Sequence, residues 1–218
     1  MGDFSLWDIL RNLLLGARWT VALSLMAFTL GGMVGLLALF ARISRNAPLR
    51  LATKAYIEFF QDTPLLMQLF LTFFGLALLG VDISHWTAAA LALTLFTSAY
   101  LAEIWRGCVE AVSVGQWEAS ASLAMSRFQQ LRHVVLPQAV RLAIPSTVGF
   151  FVQVVKGTAV ASIIGFVELT KTGTVLANAT FKPFLVYGLV AAGYFLLCYP
   201  LSLYARHLER RLHAPRAH

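Results

Sequence analysis

The side chains able to do chemistry are few, and their spacing does not suit catalysis. Cys108 and Cys198 have no second cysteine or histidine at metal-ligand or redox spacing. The histidines (His85, His133, His207, His213 and His218) are scattered, and neither G-x-S-x-G nor H-E-x-x-H occurs. No G-x-x-x-x-G-K-[ST] occurs either, so the chain lacks that loop for cradling nucleotide phosphates. No catalytic residue, metal site or bound cofactor is expected. What remains is Glu103 and Lys156, single charges inside or beside long apolar runs, with Gln68, Thr97, Ser98, Gln153 and Glu168 as polar company. Charges in such surroundings are costly and usually face a polar cavity or a partner, so these seven are candidates for lining a path through the protein. Plainer readings stand beside this one. Glu103 and Arg106, at i,i+3, can pair at a helix end, and Lys156 can snorkel to an interface.

The elements that must carry these residues are set by composition. Of 218 residues, 59% are hydrophobic and 12% charged, with a mean hydropathy of +0.74. A soluble domain averages roughly 25% charged residues and could not hide this much apolar surface. Uncharged runs cover 19–41, 63–81 and 183–205; a fourth, 86–102, continues past Glu103, and a fifth, 142–155, is broken by Pro145 and ends at Lys156. About 20 apolar residues cross a bilayer as a helix. Five crossings are therefore expected, at about 19–41, 63–81, 86–106, 137–157 and 183–205. The acidic start, MGDFSLWD, is unlike a signal peptide, so the first run is expected to be a retained span. With an odd number of crossings the termini lie on opposite sides. Twelve of the 17 basic residues fall on the side of the C-terminus, which the positive-inside rule makes cytoplasmic. That distribution accounts for the formal net charge of +7 without nucleic acid.

One stretch between the crossings is only half apolar: GQWEASASLAMSRFQQLRHVVLP, residues 115–137. Trp117, Ala121, Ala124, Phe128, Leu131 and Val135 recur at steps of four and three, one stripe on a helix. Ser126 and Gln129 fit a capping box, so a second short helix should begin at Ser126 after a bend near Ala124. Pro137 is expected to open the fourth crossing, and Asp62-Thr63-Pro64 to cap and open the second. Residues 48–60 read as a charged helix outside the lipid. Gly31 and Gly35 form a G-x-x-x-G in the first crossing, a mark of close helix packing.

Glu118-Ala119-Ser120, Ala124 and Val134-Val135-Leu136-Pro137 resemble the EAA signature of bacterial ATP-binding-cassette importer permeases. Thr63-Pro64-Leu65-Leu66 with Gln68, Ala99-Tyr100-Leu101-Ala102-Glu103-Ile104, Gly115-Gln116-Trp117-Glu118-Ala119, Leu136-Pro137-Gln138-Ala139 and Glu168-Leu169-Thr170 look like its polar amino-acid branch. The resemblance runs from about residue 17 to the C-terminal arginines. It implies an all-α integral membrane protein with the type I importer permease fold. The expected parts are one transmembrane domain over 17–207, a coupling region over 113–136, a short external N-terminus over 1–16 and a basic cytoplasmic tail over 208–218.

The resemblance further implies that 113–136 forms coupling helices that dock in a groove on a cytoplasmic ATPase dimer. Gly115, Trp117, Glu118, Ala119, Ala124, Arg127 and Phe128 are the residues carried over to that role, with Glu118 expected in the first turn of its helix. ATP and magnesium would sit on the partner, not on this chain. A second permease subunit, identical or homologous, and an extracytoplasmic solute-binding protein complete the implied assembly in a bacterial inner membrane. The substrate class implied is a polar or charged amino acid or an opine, a zwitterion that an acid and a base along one path would suit. The chain departs from the family pattern at Ala124, where the family has glycine, at Gln61-Asp62 for arginine-glycine, and at Gly157-Thr158-Ala159 for aspartate-threonine-serine. The alternative function is an ion-coupled transporter or channel acting without an ATPase. Only the importer needs a cytoplasmic docking surface. An amphipathic helix on the membrane surface would prefer Lys and Arg on its polar face, whereas residues 115–131 offer one arginine, Arg127, and carry Glu118.

Overall fold

The computed structural model describes residues 5–44 and 46–213. Residues 1–4 of the N-terminus expected to be external, Arg45, and residues 214–218 of the expected basic tail lie outside the described residues. The described chain is helical throughout, with α1 Leu6–Arg42, α2 Ala47–Asp62, α3 Leu65–Leu78, α4 His85–Glu110, α5 Val114–Ser122, α6 Arg127–Ser162, α7 Leu169–Thr180 and α8 Pro183–His213. Four helices, α1, α4, α6 and α8, are long and apolar enough to cross a membrane.

Local chemistry sets most of the boundaries. Ser5 and Asp8 form a capping box that starts α1 at Leu6, well before the uncharged run beginning at residue 19. The helix simply carries Arg11 and Arg18 through its first turns. Asn46 caps α2, with Pro48 in the first turn. Ser84 caps α4. The expected cap at Asp62-Thr63-Pro64 does not form. Asp62 ends α2, Pro64 stands at the start of α3 without a side-chain cap bond, and the Thr63 hydroxyl donates back to the Phe59 carbonyl. The corner is tied instead by Gln68, whose amide donates to the Phe60 and Thr63 carbonyls. The α3 helix is shorter than the uncharged run because a turn at Gly80, with φ +80°, closes it. Its approach is shared with α2: Ile57 packs with Ala38 and Ala102, and further along Phe73 stacks on His85. Together α2 and α3 run antiparallel to α4.

Pro137 stands in the first turn of the α-helical segment Leu136–Gly157, as expected, but it does not begin a separate helix. It lies inside α6, which starts at the Ser126 capping box and passes through a wide turn at Leu131–Val135. Proline cannot donate to the carbonyl four residues back and its ring crowds it, and a wide turn immediately before it relieves both.

The core sits where α1, α4 and α6 meet, around Leu23, Ala27, Ala89, Leu93, Phe150 and Val154. The expected small-residue contact is present. A Cβ on Gly31 would lie 2.7 Å from Thr97, and one on Gly35 3.0 Å from the Ser98 carbonyl oxygen. Without side chains at 31 and 35 the α1 and α4 backbones approach closely. A second cluster of Ile9, Leu13, Leu169, Leu176, Val186 and Val190 joins α1, α7 and α8.

Candidate functional site: a capped corner and a polar cavity

The corner between α5 and α6 is held by paired backbone groups. The α5 helix ends at Leu123, and Ala124 takes the left-handed conformation with φ +55°. The Ala124 N–H donates to the Ala121 carbonyl at 2.9 Å and the Met125 N–H to the Ser120 carbonyl at 3.3 Å. This is a Schellman ending, in which glycine usually fills the left-handed position. Two residues later the Ser126 hydroxyl accepts from the Gln129 N–H while the Gln129 side chain accepts from the Ser126 N–H. The Gln130 amide donates to the Met125 carbonyl at 2.9 Å and closes the corner. The bend near Ala124 therefore forms as expected, in place of one continuous helix.

Because the bend resets the helical phase, the apolar stripe does not act as one face. Trp117 and Leu131 pack inward with Val109, Val112, Val135 and Ala139. Ser120 and Gln130, off the stripe, are buried at the bend. Gln138 donates to Gln116 at 3.3 Å and ties the two helices together. The outward face carries Val114 (70% exposed), Leu123 (76%) and Phe128 (68%). Gly115, Glu118, Ala119, Ala124 and Arg127 are also exposed. Glu118 is the fifth residue of α5, not in its first turn, where no acidic residue stands. The helix-dipole benefit expected for it is correspondingly weak, since that effect fades beyond the first turn.

The path candidates separate into two groups. Gln68 is buried as the brace of the α2–α3 corner, with its Oε1 left without a partner. Thr97 and Ser98 are fully buried between helices, and Ser98 pairs with the Tyr56 hydroxyl. Glu103 is bound to Arg106 through Nε at 2.9 and 3.0 Å, and Arg106 also pairs with Glu110. Glu168 is fully buried as the cap of α7. Its carboxylate accepts from the Thr170 N–H (2.9 Å), the Lys171 N–H (2.8 Å), the Tyr194 hydroxyl (2.7 Å) and the Thr20 hydroxyl (3.3 Å). Burial pushes this carboxyl above its ordinary value, against the pull of those donors. These five candidates serve helix packing, corners and a knot joining α1, α7 and α8.

Gln153 and Lys156 are different. Both are exposed on α6 and line a cavity of about 470 Å³ against α8, with Ser146, Ser202, Arg206 and Glu209. Gly157 and Thr158, where the chain departs from the family pattern, lie outside its lining. Gly157 faces Leu65 and Leu93, and Thr158 is buried. Ser202, Arg206 and Glu209 were not expected here, since Arg206 entered only among the twelve basic residues on the side of the C-terminus. Their spacing, with Arg206 four after Ser202 and Glu209 three further, is a one-face signal that could have found them. Among the described residues no cluster suits a metal ion.

Long apolar helices, a protruding capped corner outside them and a polar cavity between two of them define a multi-pass transport subunit. The comparisons with known proteins agree with this class. A family model described as "Binding-protein-dependent transport system inner membrane component" matches residues 35–214, and the chain belongs to this family of importer permeases. The probable amino-acid ABC transporter permease protein YckA of Bacillus subtilis is 33% identical over 196 residues, 90% of this chain and 87% of that protein. The glutamine transport system permease protein GlnP of Escherichia coli is 31% identical over 95% of this chain and 96% of its own. A solved amino acid ABC transporter with histidines superposes with a TM-score of 0.92 at 34% identity, covering 97% of this chain and 99% of that one. The fold is that of a type I importer permease.

Proposed function

We propose that this subunit carries a polar or charged amino acid into the cytoplasm by alternating access, driven by ATP hydrolysed on a partner ATPase dimer. The single observation that carries the reading is the corner of α5 and α6. It fixes Val114, Leu123 and Phe128 outward on a rigid double cap, an arrangement that suits a partner's groove. Such a corner has no use in a transporter that works without an ATPase. The basic ends of α1 and α8 lie toward the cytoplasm, and the N-terminus is external. A second permease subunit, identical or homologous, completes the membrane part, and an extracytoplasmic binding protein delivers the substrate.

The cavity volume falls within the range of roughly 300–1,000 Å³ common for small-molecule sites. Lys156 supplies a cation and Gln153 an amide for a substrate carboxylate. The test is uptake by the assembled importer in proteoliposomes carrying Lys156→Met. Uptake should fall at least tenfold while the ATPase stays bound. Unchanged uptake would remove Lys156 and its cavity from the path.

A further inference from the structure

The α2 helix carries charge at a depth where lipid would demand apolar residues. Arg50, Lys54, Glu58 and Asp62 recur every four residues, and all four are exposed. The depth of Asp62 follows from its neighbours. The α3 helix runs from Leu65 to Leu78, roughly 21 Å at 1.5 Å per residue, short of the roughly 30 Å of hydrocarbon. The last turns of α2 must therefore complete the passage. Ile57 packs with Ala102 of the antiparallel α4. Five residues on from Ile57 and five back from Ala102, Asp62 comes level with Thr97, the middle of His85–Glu110. Tyr100 marks nearly the same level, its hydroxyl donating to the Gln61 carbonyl at 3.4 Å. Lys54 and Glu58 pair at 3.4 Å and compensate each other. Asp62 has no ion pair among the described residues. An exposed, unpaired carboxylate at mid-depth is costly in lipid and belongs on a polar path.

The corner after Asp62 meets α6 beside the polar cavity. Gln153 lines that cavity, and Gly157, one turn further on the same stripe, faces Leu65. A Cβ at position 157 would lie 3.3 Å from the Leu65 side chain, so the bare glycine lets the corner close on α6. The Tyr100 ring whose hydroxyl reaches Gln61 also stacks on Phe150, with centroids 5.3 Å apart, one turn before Gln153. Lys156 adjoins this contact and lines the cavity. Gly157 faces Leu93 as well, which stands one turn of α4 from Thr97, so Lys156 and Asp62 lie at depths roughly 6 Å apart. The side-chain cation of lysine or arginine spans that offset, which an α-ammonium, carried on the same carbon as the carboxylate, does not. We infer that Asp62 binds the side-chain cation of a basic amino acid whose carboxylate is held by Lys156 and Gln153. This rests on the importer reading above and narrows its substrate class.

The experiment is binding of labelled arginine and labelled glutamine to the intact permease–ATPase complex in nanodiscs, without the binding protein. Wild type should bind arginine more tightly than glutamine. Asp62→Asn should weaken arginine at least about tenfold, the scale of a lost hydrogen bond to a charged group, and leave glutamine within about twofold. Asp62→Glu should keep most of the arginine affinity. Equal weakening of both amino acids would give Asp62 to the α-ammonium and overturn the side-chain assignment, as would tighter glutamine binding by wild type. If Lys156→Met weakens arginine binding and Asp62→Asn does not, the acidic subsite falls while the importer reading stands. A complex that Asp62→Asn splits into single permease subunits would place the acid at the subunit contact instead. Should that variant fail to assemble at all, a cysteine placed by Asp62→Cys in a chain lacking Cys108 and Cys198 decides. It should react with a charged, water-soluble thiol reagent, and arginine should slow the reaction. A thiol reached only by a lipid-soluble reagent overturns the placement of position 62 on the path.

Discussion

Ala124 holds a left-handed backbone at φ +55° in the position where a helix ending favours glycine. For an L-residue this conformation costs roughly 1–2 kcal/mol, and glycine removes that cost. Glycine also enlarges the freedom of the unfolded corner, a loss of about 0.4–1 kcal/mol. The net gain for Ala124→Gly is therefore about 0.5–1 kcal/mol, and it falls on the corner because the αL residue is the hinge of the Schellman bonds. The assay is hydrogen exchange of the Leu123, Ala124 and Met125 amides, which donate to Ala119, Ala121 and Ser120. Exchange should slow about two- to fivefold. Ala124→Val, with a branched Cβ in the same conformation, should speed it. If Ala124→Gly leaves exchange unchanged or faster, the strain assigned to Ala124 is absent and the corner is set by something else.

Three further outcomes are expected. Gly31→Val places a branched side chain where even a Cβ would lie 2.7 Å from Thr97. Overpacking of this kind costs typically about 1–3 kcal/mol, read as a lower melting point of the monodisperse peak in detergent. Glu168→Ala leaves its backbone and hydroxyl donors without their acceptor, at about 1–3 kcal/mol for each that stays buried and unpaired, and should loosen α7 from α1 and α8; a melting point within error of wild type would show the knot to be unimportant. In a variant lacking Cys108 and Cys198, a cysteine at Leu123 should react with a membrane-impermeant reagent only from the cytoplasmic side, and one at Phe181 (84% exposed) only from outside. The reverse pattern would invert the orientation.

How much of this was legible depends on where the signal lay. The G-x-x-x-G contact and the bend at Ala124 were readable because small residues and capping boxes act locally. The length of α1 was not, since Arg11 and Arg18 interrupt the uncharged run while the Ser5 cap already starts the helix. Pro137 was half legible: it does stand in the first turn of the segment Leu136–Gly157, but the wide turn that joins this segment to the Ser126 cap leaves no pattern of its own. The stripe through Trp117 and Phe128 was a true periodicity read across a break, so it joined an inward residue to an outward one. Burial separated the path candidates. Gln68, Thr97, Ser98 and Glu168 are polar residues that serve packing, and nothing in their spacing distinguishes them from Gln153 and Lys156, which face a cavity shared with a helix far along the chain.

The docking role of the corner is tested most directly by the affinity of the partner ATPase for this permease held in nanodiscs. Phe128→Asp puts a charge on the exposed first turn of α6, and Glu118→Lys reverses the exposed charge on α5. Loss of an aromatic anchor typically costs about 2 kcal/mol or more, which is a loss of roughly 30-fold in affinity. Both variants should insert into the membrane at wild-type levels, because Glu118 lies outside the membrane-spanning helices and Phe128 is the second residue of α6, ahead of Arg132 and Arg141. The account predicts that Phe128→Asp releases the ATPase and that Glu118→Lys weakens its binding. An ATPase that binds Phe128→Asp as tightly as wild type would contradict it.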